Sequence, residues 1–182
     1  MHLELPLRTT RLVLRDLEAN DFDAIHDYAA DPEVTRYMFY GPRTLADTRA
    51  YFDRIIASQR EMPRMVWELG VAQVSDGRLV GACDLTMDGP DEADLGFIFS
   101  RDVWGLGYAT EAARAMVREG FRQLGLIRIV ATCDVLNGAS ARVLEKAGLR
   151  REATLEQHKY AKGTWWTSFL YAVRREQWFE EA

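Results

Sequence analysis

Trp104-Gly105-Leu106-Gly107-Tyr108-Ala109-Thr110-Glu111-Ala112 decides how the rest of this 182-residue chain is read. Before it, Ala93 to Phe99 has strand character. After it, Ala109, Ala112, Ala113, Met116, Val117 and Phe121 form a helical apolar stripe that Gly125 ends. A glycine-bearing turn between strand and helix leaves backbone N–H groups free at the positive end of the helix dipole. Such an end suits a phosphate or pyrophosphate. Gly105 and Gly107 let the backbone approach the anion, and small Ala109 keeps the first turn uncrowded. The P-loop pattern GxxxxGK[ST] fails, because no Lys-Ser/Thr pair follows the glycines. The dinucleotide pattern GxGxxG finds Thr110 where its third glycine belongs, and the strand in front is part of a meander.

Downstream, Leu126 to Val135 reads as a strand rich in β-branched residues. Asn137 opens a helix with Ala141, Leu144 and Ala147 on one face and Gly148 as its stop. Two last strands, around residues 151–160 and 164–173, meet at Lys162-Gly163. Upstream, Leu12-Val13-Leu14 is a first strand. Helical spacing begins at Asp21 with Phe22, Ile25 and Ala29, and Asp31-Pro32 ends it. A second helix covers about 45–60. Residues 65–71 then alternate at strand spacing, Asp76-Gly77 signals a hairpin, and a strand from Leu79 to Met87 follows before Gly89-Pro90. The order β-α-α-β-β-β-α-β-α-β-β predicts an α+β (mixed α/β) fold. Its central sheet is mostly antiparallel and flanked by helices, with one parallel pair made by the crossover between residues 93 and 135. No repeat or linker divides the chain, so residues 1–182 are read as one domain.

Composition narrows the partners. Lys and Arg number 23 against 28 Asp and Glu, a formal charge of −5, which argues against nucleic acid and is compatible with a cationic substrate. Cys83 and Cys133 form no CxxC pair, and with three histidines no metal cluster is expected. No signal-peptide core and no membrane-length apolar run is present, so a cytoplasmic protein without a membrane partner is expected.

A further anion-binding pattern, the acetyltransferase loop [QR]xxGx[GA], is met by Gly107 and Ala109 in its fourth and sixth places and departed from in its first, where Trp104 stands for Gln or Arg. WGLGYATEA, then NGASARVLEKAGL, then KGTWW and a final strand ending in REQW, resembles the GNAT superfamily. The resemblance is greatest to the bacterial branch similar to ribosomal-protein N-terminal-amine acetyltransferases, which TTRLVLR and DPEVTRYM also resemble. It runs from about Thr10 to Trp178.

The resemblance implies an acyl-CoA-dependent N-acetyltransferase that moves acetyl from acetyl-CoA directly to a primary amine, either a protein N-terminus or a small molecule. An alternative is an acyl-CoA-binding regulatory module without catalysis. It implies no metal, and a homodimer at the level of the family. Trp104, Gly105, Leu106, Gly107, Tyr108, Ala109 and Thr110 would hold the pyrophosphate, with the amides of Leu106 to Thr110 as donors. The Ile98-Phe99 edge would pair with the pantetheine like an added strand, and Asn137 would touch the cofactor arm. Ser140 would lie near the sulfur and serve the leaving thiolate; many enzymes of the superfamily use a tyrosine as thiol acid, and none stands out in this sequence. An alkylammonium must lose a proton before it attacks, and a carboxylate would take it. Glu68, Asp84, Glu92 and Asp94 are the candidates, Asp94 first by its match to the family's acidic strand position; Glu111 reads as a helix-dipole residue. Phe39, Tyr40, Trp165 and Trp166 would border the acceptor. Trp166-Thr167-Ser168 stands where the family often has a carboxylate, which counts against a ribosomal-protein acceptor.

Overall fold

The structure, a computed structural model, describes residues 2–181. The strands are β1 (Leu7–Arg8), β2 (Leu12–Arg15), β3 (Val66–Gln73), β4 (Leu79–Met87), β5 (Glu92–Phe99), β6 (Arg128–Asp134), β7 (Arg150–Ala161) and β8 (Thr164–Arg174), with burial alternating most regularly along β2 and β6. Helices α1 (Phe22–Ala29), α2 (Leu45–Ser58), α3 (Tyr108–Arg122), α4 (Gly138–Lys146) and α5 (Arg175–Glu181) complete the order. The strands form one eight-stranded sheet, β1-β2-β3-β4-β5-β6-β8-β7. Every neighbouring pair is antiparallel except β5–β6, as the order of elements predicts.

Two apolar clusters hold the layers together. Met116, Val117 and Phe121 of α3 and Leu144 of α4 join Leu69, Leu85, Leu95, Ile129 and Tyr171 of the sheet. Ile25, Tyr28, Phe52 and Ile55 of α1 and α2 pack with Leu17 and Leu79, with Val66 and Ile98 half-buried beside them. Each fully buried side chain of this size stabilises the fold by roughly 1.5–3 kcal/mol. Thr44 caps α2 in a reciprocal capping box with Asp47.

Two elements depart from the reading of the sequence. A short strand, β1, precedes the first predicted one. The segment Arg175-Glu176-Gln177-Trp178 opens a terminal helix instead of closing a strand. Trp178 anchors that helix, its Nε1 donating to Ala147 O at 3.3 Å and its ring packing against Phe121.

The feature that positions the site is the β5–β6 junction. Register there is confined to Glu92↔Arg128, Ala93↔Ile129 and Asp94↔Val130. Beyond Asp94 and Val130 the strands part, while β5 stays paired with β4 to Phe99 and β6 with β8 to Asp134. Arg128 clasps the closed end, with Nη1 2.7 Å from Glu92 and Nη2 2.6 Å from Glu152.

Candidate active site

At the open end of the splay lies the glycine loop. Gly107, at φ +81°, is the residue before α3 and leaves the helix without a side-chain cap. The amides of Gly107, Tyr108, Ala109 and Thr110 meet no acceptor among the described residues, as a bare helix N-terminus requires. Leu106, expected to donate outward, instead turns its N–H back to Val103 O at 3.4 Å. The outward donors therefore begin one residue later. Trp104 is half-exposed, and its indole Nε1 donates to Phe99 O at 2.9 Å, bracing the loop against the strand.

The main chain of β5 shows which residues face the gap. Ser100 N–H bonds Val80 O on the β4 side, whereas Asp91 O accepts from Ile127 and Arg128 on the β6 side. Strand groups alternate between edges, so odd-numbered residues of β5 face the splay. Ile98 spends its main chain on β4, opposite Ala82. Leu95 spends its N–H on the last rung to β6, so the first residue to present both its N–H and its C=O to the gap is Phe97; Phe99 does too, with its carbonyl already bonded to Trp104.

On the α1/α2 face of the sheet, three carboxylates gather beside the splay. Glu68 stands directly opposite Asp84, and Asp94 is diagonal to Asp84, since Asp84 pairs with Gly96 and Thr86 with Asp94. Gly96 makes this arrangement possible: a Cβ there would overlap Asp84 Oδ1 and stand 3.0 Å from its Cγ. Thr86 Oγ1 donates to Asp84 Oδ2 at 3.2 Å. Burial first, and then the Asp84 charge, push the Glu68 carboxyl up to about 8, against the pull of Arg43. Burial and then Asp94 push Asp84 up to about 7. Asp94 is more exposed; burial and Asp88 push it up to about 6, and Lys159 offsets part of this. Glu92 is held by Arg128, which removes it from the candidate bases.

The far wall is aromatic. The Phe39 ring lies 5.6 Å from Trp166 and 6.1 Å from His158, and Lys159 Nζ sits 4.0 Å from the Phe39 centroid. Lys162 ties the hairpin tip across the site, donating to Thr35 O at 2.8 Å and Arg36 O at 3.2 Å. The Arg43 guanidinium covers the Tyr40 ring at 4.3 Å. Burial, together with Glu68 and Asp84, pushes the Tyr40 hydroxyl up against the pull of Arg43. Trp165 does not join them. It points to the other face of the hairpin, 5.5 Å from Tyr160 and 56% exposed. Arg43, Lys159 and Phe97 are the neighbours that sequence reasoning missed.

Asn137 caps α4, its Oδ1 accepting from Ser140 N–H at 3.1 Å. The Ser140 side chain is half-buried, and its hydroxyl has no partner among the described residues. Burial, followed by Asp134 and Glu145, pushes the Cys133 thiol up to about 11, and burial first of all raises Cys83 strongly. Both stay protonated at neutral pH and are poor nucleophiles. No group of His, Cys, Asp and Glu among the described residues is arranged to hold a metal, and no helix is long and apolar enough to cross a membrane.

A loop with a bare helix N-terminus, a splayed parallel pair and carboxylates beside it define an acyltransferase of the GNAT class, and comparison with known proteins agrees. Residues 11–150 match the acetyltransferase (GNAT) domain family. The chain is 30% identical over 173 residues to the uncharacterized N-acetyltransferase YnaD of Bacillus subtilis, covering 94% of this chain and 98% of that one. A GNAT-family acetyltransferase from Bacillus anthracis superposes with a TM-score of 0.85 at 31% identity, covering 94% of this chain and 99% of its own. Spermidine N-acetyltransferase from Vibrio cholerae, in complex with CoA and spermine, shares the fold at TM-score 0.80 and 18% identity, covering 94% and 99%. This chain belongs to the GNAT acetyltransferase family and is an N-acetyltransferase by that membership.

Proposed function

We propose that residues 1–182 work as one unit that transfers acetyl from acetyl-CoA directly to a primary amine carried by a cationic molecule. The observation that carries this reading is the β5–β6 splay, which runs from free helix-terminal amides at one end to the Glu68–Asp84–Asp94 group at the other. Bound acetyl-CoA supplies an activated thioester carbonyl. The amides of Gly107 to Thr110, with Trp104, Gly105 and Leu106 shaping the loop, hold its pyrophosphate. Main-chain groups of Phe97 and Phe99 take the pantetheine role first expected of Ile98 and Phe99, because alternation turns Ile98 away. Asn137 keeps a second lone pair and its amide hydrogens for the cofactor arm.

An acceptor amine arrives charged, with a pKa near 10.4 for a lysine-like group. The rings of Phe39, Tyr40 and Trp166 and the three carboxylates of the sheet suit a cation. Asp94, at the mouth of the cleft, receives the ammonium proton directly or through water, and Asp84 lies next in line. The Ser140 hydroxyl gives its proton to the departing thiolate. The raised thiols of Cys83 and Cys133 favour direct transfer over an acyl-cysteine route. The acceptor reading also has a counterpart in the Vibrio relative, whose ligand spermine is a polyamine.

The test is thermal unfolding with acetyl-CoA, CoA, NADH and ATP at equal concentration, followed by thiol release with a panel of polyamines, amino acids, aminoglycosides and N-terminal peptides. Stabilisation by both CoA species alone is expected, about 2.7 kcal/mol at a hundredfold excess over Kd, with fastest turnover on a polycationic amine. CoA binding without turnover on any amine would replace this reading with a non-catalytic acyl-CoA-binding module. No stabilisation by CoA would end the assignment of residues 104–110.

A further inference from the structure

Arg11, in the turn between β1 and β2, reaches the glycine loop from the side away from the splay. Its Nη1 donates to Leu106 O at 2.8 Å and its Nε to Glu111 Oε2 at 2.7 Å, while its own backbone N–H donates to Glu111 Oε1 at 2.9 Å. Thr9 Oγ1 adds a 2.6 Å bond to the same Oε1. The guanidinium carbon lies 4.7 Å from the centroid of Tyr108, whose hydroxyl bonds Gln73 Oε1 at 3.1 Å. Nη2 stands 3.5 Å from where a Cβ on Gly107 would be. Burial would raise the Glu111 carboxyl, but the bonds from Thr9 and Arg11 outweigh it and hold the group below its ordinary range. One loop carbonyl, that of Leu106, and two residues in the first turn of α3, Tyr108 and Glu111, are therefore tied to one side chain almost a hundred residues away in sequence.

We propose that Arg11 is a positioning residue for the pyrophosphate of the acyl donor. Leu106 C=O and Gly107 N–H belong to one planar trans unit and point in opposite directions. Pinning that carbonyl to Arg11 aims the Gly107 amide away from Arg11, alongside the free amides of Tyr108, Ala109 and Thr110. The Glu111 contact fixes the rotation of the helix turn that carries those three. An ion pair this exposed, with Arg11 46% accessible, adds little to global stability. Its effect is on where the donors point. Lysine cannot replace it, since one ammonium cannot serve Leu106 O and Glu111 Oε2 together in the fork geometry of a guanidinium.

The proposal rests on the assignment of the loop to acetyl-CoA, and the test separates the two. Binding of CoA, dephospho-CoA and acetyl-pantetheine is measured by calorimetry for the intact wild-type chain, Arg11→Ala and Arg11→Lys, with unliganded melting temperatures alongside. Both variants are expected to bind CoA and dephospho-CoA roughly tenfold more weakly, the scale of one charge-assisted hydrogen bond. They should bind acetyl-pantetheine, which lacks the pyrophosphate, as the wild type does, with melting little changed. Equal binding of CoA by all three chains overturns the proposal. So does a uniform loss for all three ligands with a lowered melting temperature, the signature of a strut that only supports the fold. Failure of the wild type to bind CoA removes the loop assignment itself, and this role with it.

Discussion

Asp94→Asn distinguishes two assignments of the proton acceptor that the sheet register brings side by side. Asp94 and Asp84 are diagonal neighbours on β5 and β4, a placement that sets the carboxylates about 7 Å apart. At an effective dielectric between about 20 and 80, two unit charges at that distance repel by about 0.6–2.4 kcal/mol. Asp94 is exposed, so the lower end applies, equivalent to about half a pH unit on its neighbour. If Asp94 is the base, Asp94→Asn lowers kcat/KM by about 10²- to 10⁴-fold, the worth of a general base. The acid limb near pH 6 set by its raised carboxyl disappears with it. If Asp84 is the base, activity persists. Its acid limb, set by a carboxyl held at about 7, moves down by about half a pH unit because a repelling charge has gone. The assay is kcat/KM from pH 5 to 9 by thiol release, with Asp84→Asn as the reciprocal variant. Full activity with an unmoved limb in both variants would refute the carboxylate assignment altogether.

The same carboxyls make stability depend on pH. Folding raises Glu68, Asp84 and Asp94 to about 8, 7 and 6, so the folded state holds protons that the unfolded chain has lost above about pH 4.5. Raising pH from about 5 to 8 therefore favours unfolding, and calorimetry should find the highest melting temperature near pH 5 and a decline toward 8. Asp84→Asn should flatten that decline; an unchanged slope would show that the carboxyls are not desolvated as described. On the acceptor wall, Phe39→Ala or Trp166→Ala should raise KM for the amine several-fold, the value of a lost cation–π contact of about 1 kcal/mol, while KM for acetyl-CoA holds. Trp165→Ala should change neither, and steady-state kinetics in which Trp165 matters as much as Trp166 would misplace the acceptor.

Local chemistry made much of the fold legible. Gly125 and Gly148, both at positive φ, end helices where the sequence places their stops, and Lys162-Gly163 turns the last hairpin with both residues at positive φ. The glycine loop could be read because a strand, two glycines and an alanine-rich helix follow one another in a single stretch. What depends on register could not. Glu68, Asp84 and Asp94 are separate strand carboxylates in sequence, and only the β3–β4 and β4–β5 ladders bring them together. Trp165 and Trp166 looked equivalent, yet neighbouring strand residues face opposite ways, and the irregular pairing between Leu155 and Lys159 hides which one turns inward. The contact of Arg11 with Leu106 and Glu111 is purely tertiary. The terminal helix is short and mostly polar, with Trp178 as its main anchor, so its periodicity carried no signal.

The parting of β5 from β6 also has a mechanical meaning. Five strands on one side and three on the other are stitched along a ladder of three register pairs and by the α3 crossover. If the donor lies in the gap as proposed, it supplies the missing rungs and doubles as a structural strand of its own enzyme. The slowing of amide hydrogen exchange on loading should accordingly be largest at Phe97, Phe99 and the facing stretch of β6, and it should fade when the acylated arm departs.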